Sequence, residues 1–220
     1  MTRAIVQSVA FEVAAFAILF GAAGRLVWPM AWATLAVYAA FTIVGCSVLS
    51  PDLIAERTRL HPDARPADLV VAGLAFVLMF PVAFFVCGVD ARLRLSPPVP
   101  EALRVLALAI FAAGYALSLW AAAVNPFFST VVRIQAERGH HVVTTGPYAF
   151  VRHPGYAGPI VSHLFLPIAL GSLWALVPSA LGIACLVARI GLEERVLERE
   201  LVGYRAYEAR VPWRLVPGLW

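Results

Sequence analysis

Apolar residues along this chain gather into long unbroken runs instead of alternating with the period of a strand or striping one face of a helix. A helix needs roughly 20 apolar residues to cross the ~30 Å hydrocarbon core of a bilayer. Residues 5–23, 28–49, 69–89 and 102–124 meet that length and predict four spans. Two shorter runs, 156–170 and 173–187, are separated only by Gly171-Ser172 and predict a fifth and sixth span as a tight helical hairpin, with a single bent span as the alternative. Pro159, Pro167 and Pro178 are expected to kink this hairpin, leaving neighbouring helices to satisfy the freed backbone groups. The expected fold is an all-α, polytopic integral membrane protein of about six helices. It forms a single membrane domain over 1–220, with four N-terminal spans in 1–124 and the functional part in 125–220, where polar loops and a C-terminal helix lie.

Composition agrees. Hydrophobic residues make up 61% of the 220 and charged residues 14%, with mean hydropathy +0.83, against about 25% charged in an average soluble domain. These values exclude a soluble globular domain, a disordered chain, a collagen-like fibre and a disulfide scaffold. Cys46, Cys87 and Cys185 all lie in apolar runs, without disulfide or metal spacing.

Charge adds an orientation. The net charge is +4, and all 17 basic side chains are arginine. They punctuate apolar runs, the pattern of a membrane protein rather than a nucleic-acid binder. With six spans, 13 arginines fall on one side (Arg3, the 51–68 segment, the 125–155 segment and the tail from Arg189) and 4 on the other (Arg25, Arg92, Arg94 and Arg104). The positive-inside rule then puts both termini and both long polar segments in the cytoplasm. Arg57, Arg59 and Arg65 read as topology determinants or lipid-headgroup contacts. Glu12 interrupts the first run and no cleavage site follows it, so that run is expected to be a span rather than a signal peptide, with Glu12 packing between helices or facing a cavity. The terminal Pro-Gly-Leu-Trp is not expected to be a prenylation signal.

Candidate chemistry concentrates in 125–156 and 189–220. No G-x-G occurs, so neither a dinucleotide fingerprint nor a phosphate loop is available. His140, His141 and His153 lack zinc-site spacing, so no metal is expected. His163 reads as a hydrogen-bonded core residue. Glu194, Glu198 and Glu200 with Arg195 and Arg199 read as a solvated ion-paired helix face, and Trp213 and Trp220 as interfacial anchors.

Three blocks remain. His140-His141-Val142-Val143-Thr144-Thr145-Gly146-Pro147-Tyr148 is followed by Arg152-His153-Pro154-Gly155-Tyr156-Ala157-Gly158, and then by Glu193-Glu194 with Gly203-Tyr204 and Tyr207. In order and spacing they resemble the isoprenylcysteine carboxyl methyltransferase family, within the integral membrane methyltransferases that include phospholipid N-methyltransferases. The resemblance covers roughly residues 125–217. It implies S-adenosylmethionine as cofactor, in a pocket sealed by the C-terminal segment. By the same resemblance Gln135, His140, His141, Val142, Val143, Tyr148, His153, Pro154, Gly155, Tyr156 and Glu193 would contact the cofactor. Arg189 would bind the substrate, and Arg189 and His153 would serve the reaction. The implied partners are a lipophilic acceptor entering from the bilayer and membrane lipids, with no nucleic acid.

The chemistry is coherent with that reading. Glu193 can pair with an ammonium or a ribose hydroxyl, backbone groups at Val142-Val143 can serve an adenine edge, and tyrosine faces attract a sulfonium as they do other cations. Pro154 biases His153 away from helix and so fixes its imidazole on a turn. Arg189 and Glu193, at i and i+4, share one helix face. A carboxylate acceptor is ionised at neutral pH and needs no base; Arg189 could fork two hydrogen bonds to it. A phospholipid amine or small thiol stays open as acceptor. A nicotinamide-dependent membrane reductase would need further spans and polar pocket residues, and a non-enzymatic carrier would need charges within the spans that this chain nearly lacks.

Overall fold

A computed structural model describes residues 2–59, 61 and 64–220, and among these the regular structure is helical, without a strand. Met1 and part of the 51–68 segment lie outside the described residues. Helices α1 (Thr2–Ala23) and α2 (Pro29–Val48) lead into a short α3 (Pro51–Thr58). Helix α4 (Pro66–Val77) continues through a π-helical turn at Leu78–Val82 into α5 (Ala83–Leu93), so the two make one long element. The rest are α6 (Glu101–Val124), α7 (Pro154–Leu170), α8 (Leu176–Glu200) and α9 (Tyr204–Arg210). Proline opens α2, α3, α4 and α7, a position where its fixed φ suits the helix and its missing N–H leaves no bond unmade.

Among the described residues, five elements are long and apolar enough to cross a membrane: Arg3–Ala23, Pro29–Val48, Pro66–Leu93, Glu101–Val124 and Leu176–Glu200. At 17 residues, α7 falls short of that group. The expected hairpin is present as two separate helices, not a single bent one, because Gly171 takes a left-handed conformation (φ +79°) that ends α7. Two expectations are corrected. The helix that carries the last apolar run does not stop at 187 but continues unbroken to Glu200, so the charged stretch that follows the run is the same helix. Pro178 sits in the first turn of α8, where no helical hydrogen bond is lost, while Pro159 and Pro167 do lie inside α7.

The tightest crossing is α6 on α7. Each helix carries a small-xxx-small pair, Gly114 with Ser118 and Gly158 with Ser162, the arrangement that lets apolar helices bring their backbones together. A Cβ on Gly114 would come 2.6 Å from the Gly158 carbonyl, and one on Gly158 would come 2.4 Å from the Gly114 carbonyl. Ser162 Oγ, with no water to serve it, donates to Phe111 O across the crossing at 2.9 Å. Aromatic edges fill the neighbouring core, where Tyr38 packs on Phe111 and Tyr115 with centroids 5.2 and 5.1 Å away.

The two ends of the bundle differ. At one end a buried Asp90 accepts from Ser96 N (2.8 Å), Ser96 Oγ (2.5 Å) and Ser172 Oγ (2.6 Å), stapling the turn after α5 to the turn after α7. At the other end α3 and the start of α4 meet the 125–153 and post-189 segments. Arg65 pairs with Glu200 at 2.5 Å, and Asp68 accepts from Val132 N at 2.8 Å. Because the α6–α7 crossing has no room for a side chain, Gly158→Leu should lower the thermal melting temperature in detergent, with a cost of roughly 1–3 kcal/mol. Gly73→Ala, at a position facing open space, should leave it unchanged.

Candidate functional site

The polar segment after α6 is built from local hydrogen bonds because it has no periodic apolar face to pack. Asn125 Oδ1 accepts from Phe127 N at 2.9 Å, turning the chain, while its Nδ2 donates to the Tyr148 hydroxyl at 3.1 Å. Short 3₁₀ turns form at Ala136–Arg138 and Gly146–Ala149. Gln135 is fully buried. Its Nε2 donates to Phe127 O (2.8 Å), its Oε1 accepts from Arg138 Nη1 (2.5 Å), and its backbone N–H donates to His140 Nδ1 (3.2 Å). Gln135 therefore braces the loop from behind and does not line the cavity described below, contrary to expectation. The His140 ring stacks on Phe127 with centroids 4.4 Å apart. Burial, with the neighbouring His141, Arg133 and Arg138 charges adding to it, pushes the His140 imidazole down from 6.5 to about 4. His141 is exposed, with Nδ1 3.1 Å from Gly139 O.

The second block is locked to the C-terminus. Backbone N–H groups of Arg152 and His153 donate to Trp213 O and Arg214 O, each at 2.9 Å, so the 211–220 strap lies against the turn that opens α7. Trp213 and Trp220 thus belong to the strap's own bonding; the Trp220 carbonyl closes it by accepting from Arg214, Leu215 and Val216 N–H groups. Beneath the strap sits Glu194, only 2% exposed. It accepts from Arg152 Nε (2.7 Å), His153 Nε2 (3.2 Å), Arg214 Nε and the Tyr204 hydroxyl (3.4 Å). This corrects the reading of Glu194 as part of a solvated face: α8 turns it inward, where two guanidiniums and an imidazole compensate its desolvation. The Arg152 charge, disfavoured by its own burial, is held by Glu194, which raises its pKa. Since a carboxylate only accepts, His153 Nε2 carries the proton of this contact. The Glu194, Glu198 and Glu208 carboxylates lie within 4.8 Å of one another, but the bonds already on Glu194 make this an ion-pair network. Tyr207 completes the closure by donating to Tyr148 O at 2.7 Å.

A cavity of about 470 Å³ lies between these layers and runs into the bundle. His140, His141, Val142, Val143, Tyr148, His153, Gly155, Tyr156, Arg189 and Glu193 line it, as do Tyr204 and Tyr207; Pro154 is buried behind its wall. The three separated sequence blocks therefore share one space. Glu193 is adjacent to Glu194 on α8, yet it faces the cavity, where its Oε2 accepts from Tyr156 Oη at 2.6 Å. The far end is apolar, walled by Phe76, Met79 and Phe80 from the π-helical region, Tyr115 from α6 and Leu186 from α8. His163 also lines this end. Its Nδ1 lies 2.9 Å from Pro159 O and must be the donor there, so Nε2 presents a buried lone pair that meets no partner in the protein. Glu12, on α1, does not line the cavity.

Two participants escaped the sequence reading. Asp68, 2% exposed at the start of α4, grips Arg189 through both oxygens: Nε to Oδ1 at 2.6 Å and Nη2 to Oδ2 at 3.1 Å. Arg189 Nη2 also donates to Thr130 O at 2.7 Å. The expected free fork on Arg189 is thus already committed along one edge, and Nη1 is the nitrogen left for a ligand. Arg57, expected to act only in topology or headgroup contact, lines the cavity with its Cζ 4.8 Å from the Phe128 ring centroid. An acidic residue just before an apolar run was the available signal for Asp68; nothing local distinguished Arg57 from Arg59.

Removing the Glu194 charge should be among the most damaging single changes. Glu194→Gln takes from buried Arg152 the nearer of its two carboxylate partners and should cost about 3–5 kcal/mol, read as a lowered melting temperature and faster proteolysis of the 211–220 strap. His140 yields a pH dependence. A folded-state pKa of about 4 against 6.5 for the free group means its contribution to stability is present above pH 6.5 and is lost as pH falls towards 4. Thermal melts between pH 7 and 4 should show the wild type losing stability that His140→Asn, which keeps an acceptor for Gln135 N–H without a titrating ring, retains.

No curated protein matches the chain. Residues 105–199 match the isoprenylcysteine carboxyl methyltransferase (ICMT) family. The match begins inside α6, earlier than the motif blocks suggested, and ends before Tyr204 and Tyr207. It covers the α6–α7 crossing, the looped segment, Arg189 and both glutamates. On this match, with the cavity that joins its motifs, the 105–199 region is similar to the isoprenylcysteine carboxyl methyltransferase family.

Proposed function

We propose that this protein, a membrane methyltransferase by that similarity, uses S-adenosylmethionine to methylate the carboxylate of a lipophilic, isoprenylcysteine-type acceptor. The observation that carries the reading is the single cavity, polar where the three sequence blocks meet and apolar where it enters the bundle. Its volume of about 470 Å³ lies within the usual range of small-molecule sites, about 300–1,000 Å³. Its lining suits a zwitterionic nucleoside at one end and a hydrocarbon tail at the other.

When bound, S-adenosylmethionine supplies an electrophilic methyl group on a cationic sulfur. Glu193, oriented by the Tyr156 hydroxyl, receives the ammonium or ribose hydroxyls. Backbone groups at Val142 and Val143 serve the adenine edge, and the Tyr148 and Tyr156 rings offer faces to the sulfonium. His153, fixed through Glu194, offers Nδ1 to the polar end. Arg189 Nη1 donates to an acceptor oxygen while Asp68 holds the other edge of the guanidinium still, so the reaction depends on alignment rather than proton transfer. Helix α9 and the strap exclude water from the polar end, which strengthens each of these electrostatic contacts. We place this end at the cytoplasmic face, with both termini, because 13 of the 17 arginines fall on that side of the six-span scheme.

An amine or thiol acceptor is the second reading. Labelled cofactor offered with a farnesylcysteine analogue and, separately, with phosphatidylethanolamine decides between them. Calorimetry tests the site itself. S-adenosylhomocysteine should bind the wild type, and Glu193→Ala should weaken it by about tenfold or more, ~1.4 kcal/mol. Wild-type protein that does not bind this ligand, or a variant that binds it equally well, overturns the proposal.

A further inference from the structure

Four arginines line the cavity: Arg57, Arg133, Arg152 and Arg189. Three of them face carboxylates. Arg133 pairs with Glu56 and Glu137, Arg152 with Glu194 and Glu208, and Arg189 with Asp68. Arg57 has no carboxylate partner among the described residues. Its one hydrogen bond is a long donation from Nη1 to Phe128 O at 3.4 Å. The carboxylate beside it in sequence, Glu56, is occupied by Arg133 at 3.1 Å and Ser129 at 3.4 Å.

Arg57 is nevertheless held in place. Its guanidinium lies over the Phe128 ring, and Phe128 in turn fills the space that a side chain at Gly155 would take: a Cβ there would come 2.2 Å from Phe128 Cε2. The glycine of the Arg-His-Pro-Gly-Tyr block thus seats the ring that seats the cation. Tyr148, also in the cavity wall, feels the Arg57 charge. Its hydroxyl oxygen accepts from Asn125, leaving its own proton to donate. Burial of the guanidinium draws its pKa below the ordinary value, and no carboxylate offsets that cost. A positioned cation without its anion, beside a spare O–H donor, is a site prepared for an anionic group.

We propose that Arg57 is the carboxylate-binding residue of this cavity, taking a ligand carboxylate in its unpaired guanidinium with the Tyr148 hydroxyl as second donor. This rests on the methyltransferase reading above. Two carboxylates enter that reaction, the amino-acid end of the cofactor and the acceptor's own, and the experiment separates them.

Full-length wild type and Arg57→Met are titrated by calorimetry with S-adenosylhomocysteine and with 5′-methylthioadenosine, which lacks the amino-acid end. Each protein is also assayed for methylation of a farnesylcysteine analogue. If Arg57 holds the cofactor carboxylate, the variant loses about tenfold or more in affinity for S-adenosylhomocysteine and keeps its affinity for 5′-methylthioadenosine. If it holds the acceptor carboxylate, both affinities are kept and the acceptor KM rises about tenfold with kcat preserved. A general structural defect would weaken both nucleosides together, and that result overturns the inference, as does a variant matching the wild type in all three measurements. Should Arg57→Met fail to fold, Arg57→Lys is read by the same ratios. Wild-type protein that binds neither nucleoside defeats the methyltransferase reading itself, a result distinct from failure of the Arg57 inference.

Discussion

The polar half of this protein is organised around one buried carboxylate. Glu194 draws Arg152 and His153 from the turn before α7, Tyr204 from α9 and Arg214 from the C-terminal strap onto two oxygens. These segments share only a small apolar cluster, of Leu201, Tyr204, Tyr207 and Val211. Charge compensation in a water-poor setting supplies what packing does not: each partner strengthens the case for the carboxylate's ionised form, and the carboxylate keeps the buried guanidinium from standing alone. The strap, the turn and α9 become the roof and walls of the cavity as a consequence. Glu193 and Glu194 are neighbours in sequence with opposite tasks, because successive positions on a helix are rotated by about 100°, so one faces the network and the other the cavity.

A second ionic contact joins this polar half to the bundle. Asp68 at the start of α4 binds Arg189 on α8 and the backbone of Val132 in the looped segment. Three elements distant in sequence are thereby fixed at the level where polar cavity passes into apolar cavity. Below it the walls are set by shape. The mutual contact of Gly114 and Gly158 brings α6 and α7 together, and the π-helical turn around Pro81 carries Met79 and Phe80 to the cavity's apolar end. Local π-helical turns are a common device for re-aiming side chains near functional sites.

Much of the architecture was legible before any coordinates. The four N-terminal apolar runs returned as helices within a few residues of their expected bounds, since run length against bilayer thickness is a constraint no tertiary contact revises. The grouping of 51–68, 125–153 and the tail at one end followed from the same count of spans. The motif blocks identified about a third of the cavity lining, most of it at the polar end, because their residue types carry the chemistry whatever their neighbours are. The end of α8 was not legible: an apolar run ends where lipid-like composition ends, but a helix continues as long as its hydrogen bonds do. Gln135 and Glu194 were misread for a related reason. Their types announce polar chemistry, but whether a polar side chain meets a ligand, water or a partner within the protein depends on what packs against it.

The sequence alone thus determined the solvent of each segment and the chemical vocabulary of the cavity, both of which are set by residue type and run length. Only the tertiary structure decided how the charges are shared out. Asp68 takes one edge of Arg189, Glu194 takes Arg152, and Arg57 is left over, because ion pairing depends on distances of a few ångströms between residues that the chain separates by up to 135 positions, and such distances are not written in local order.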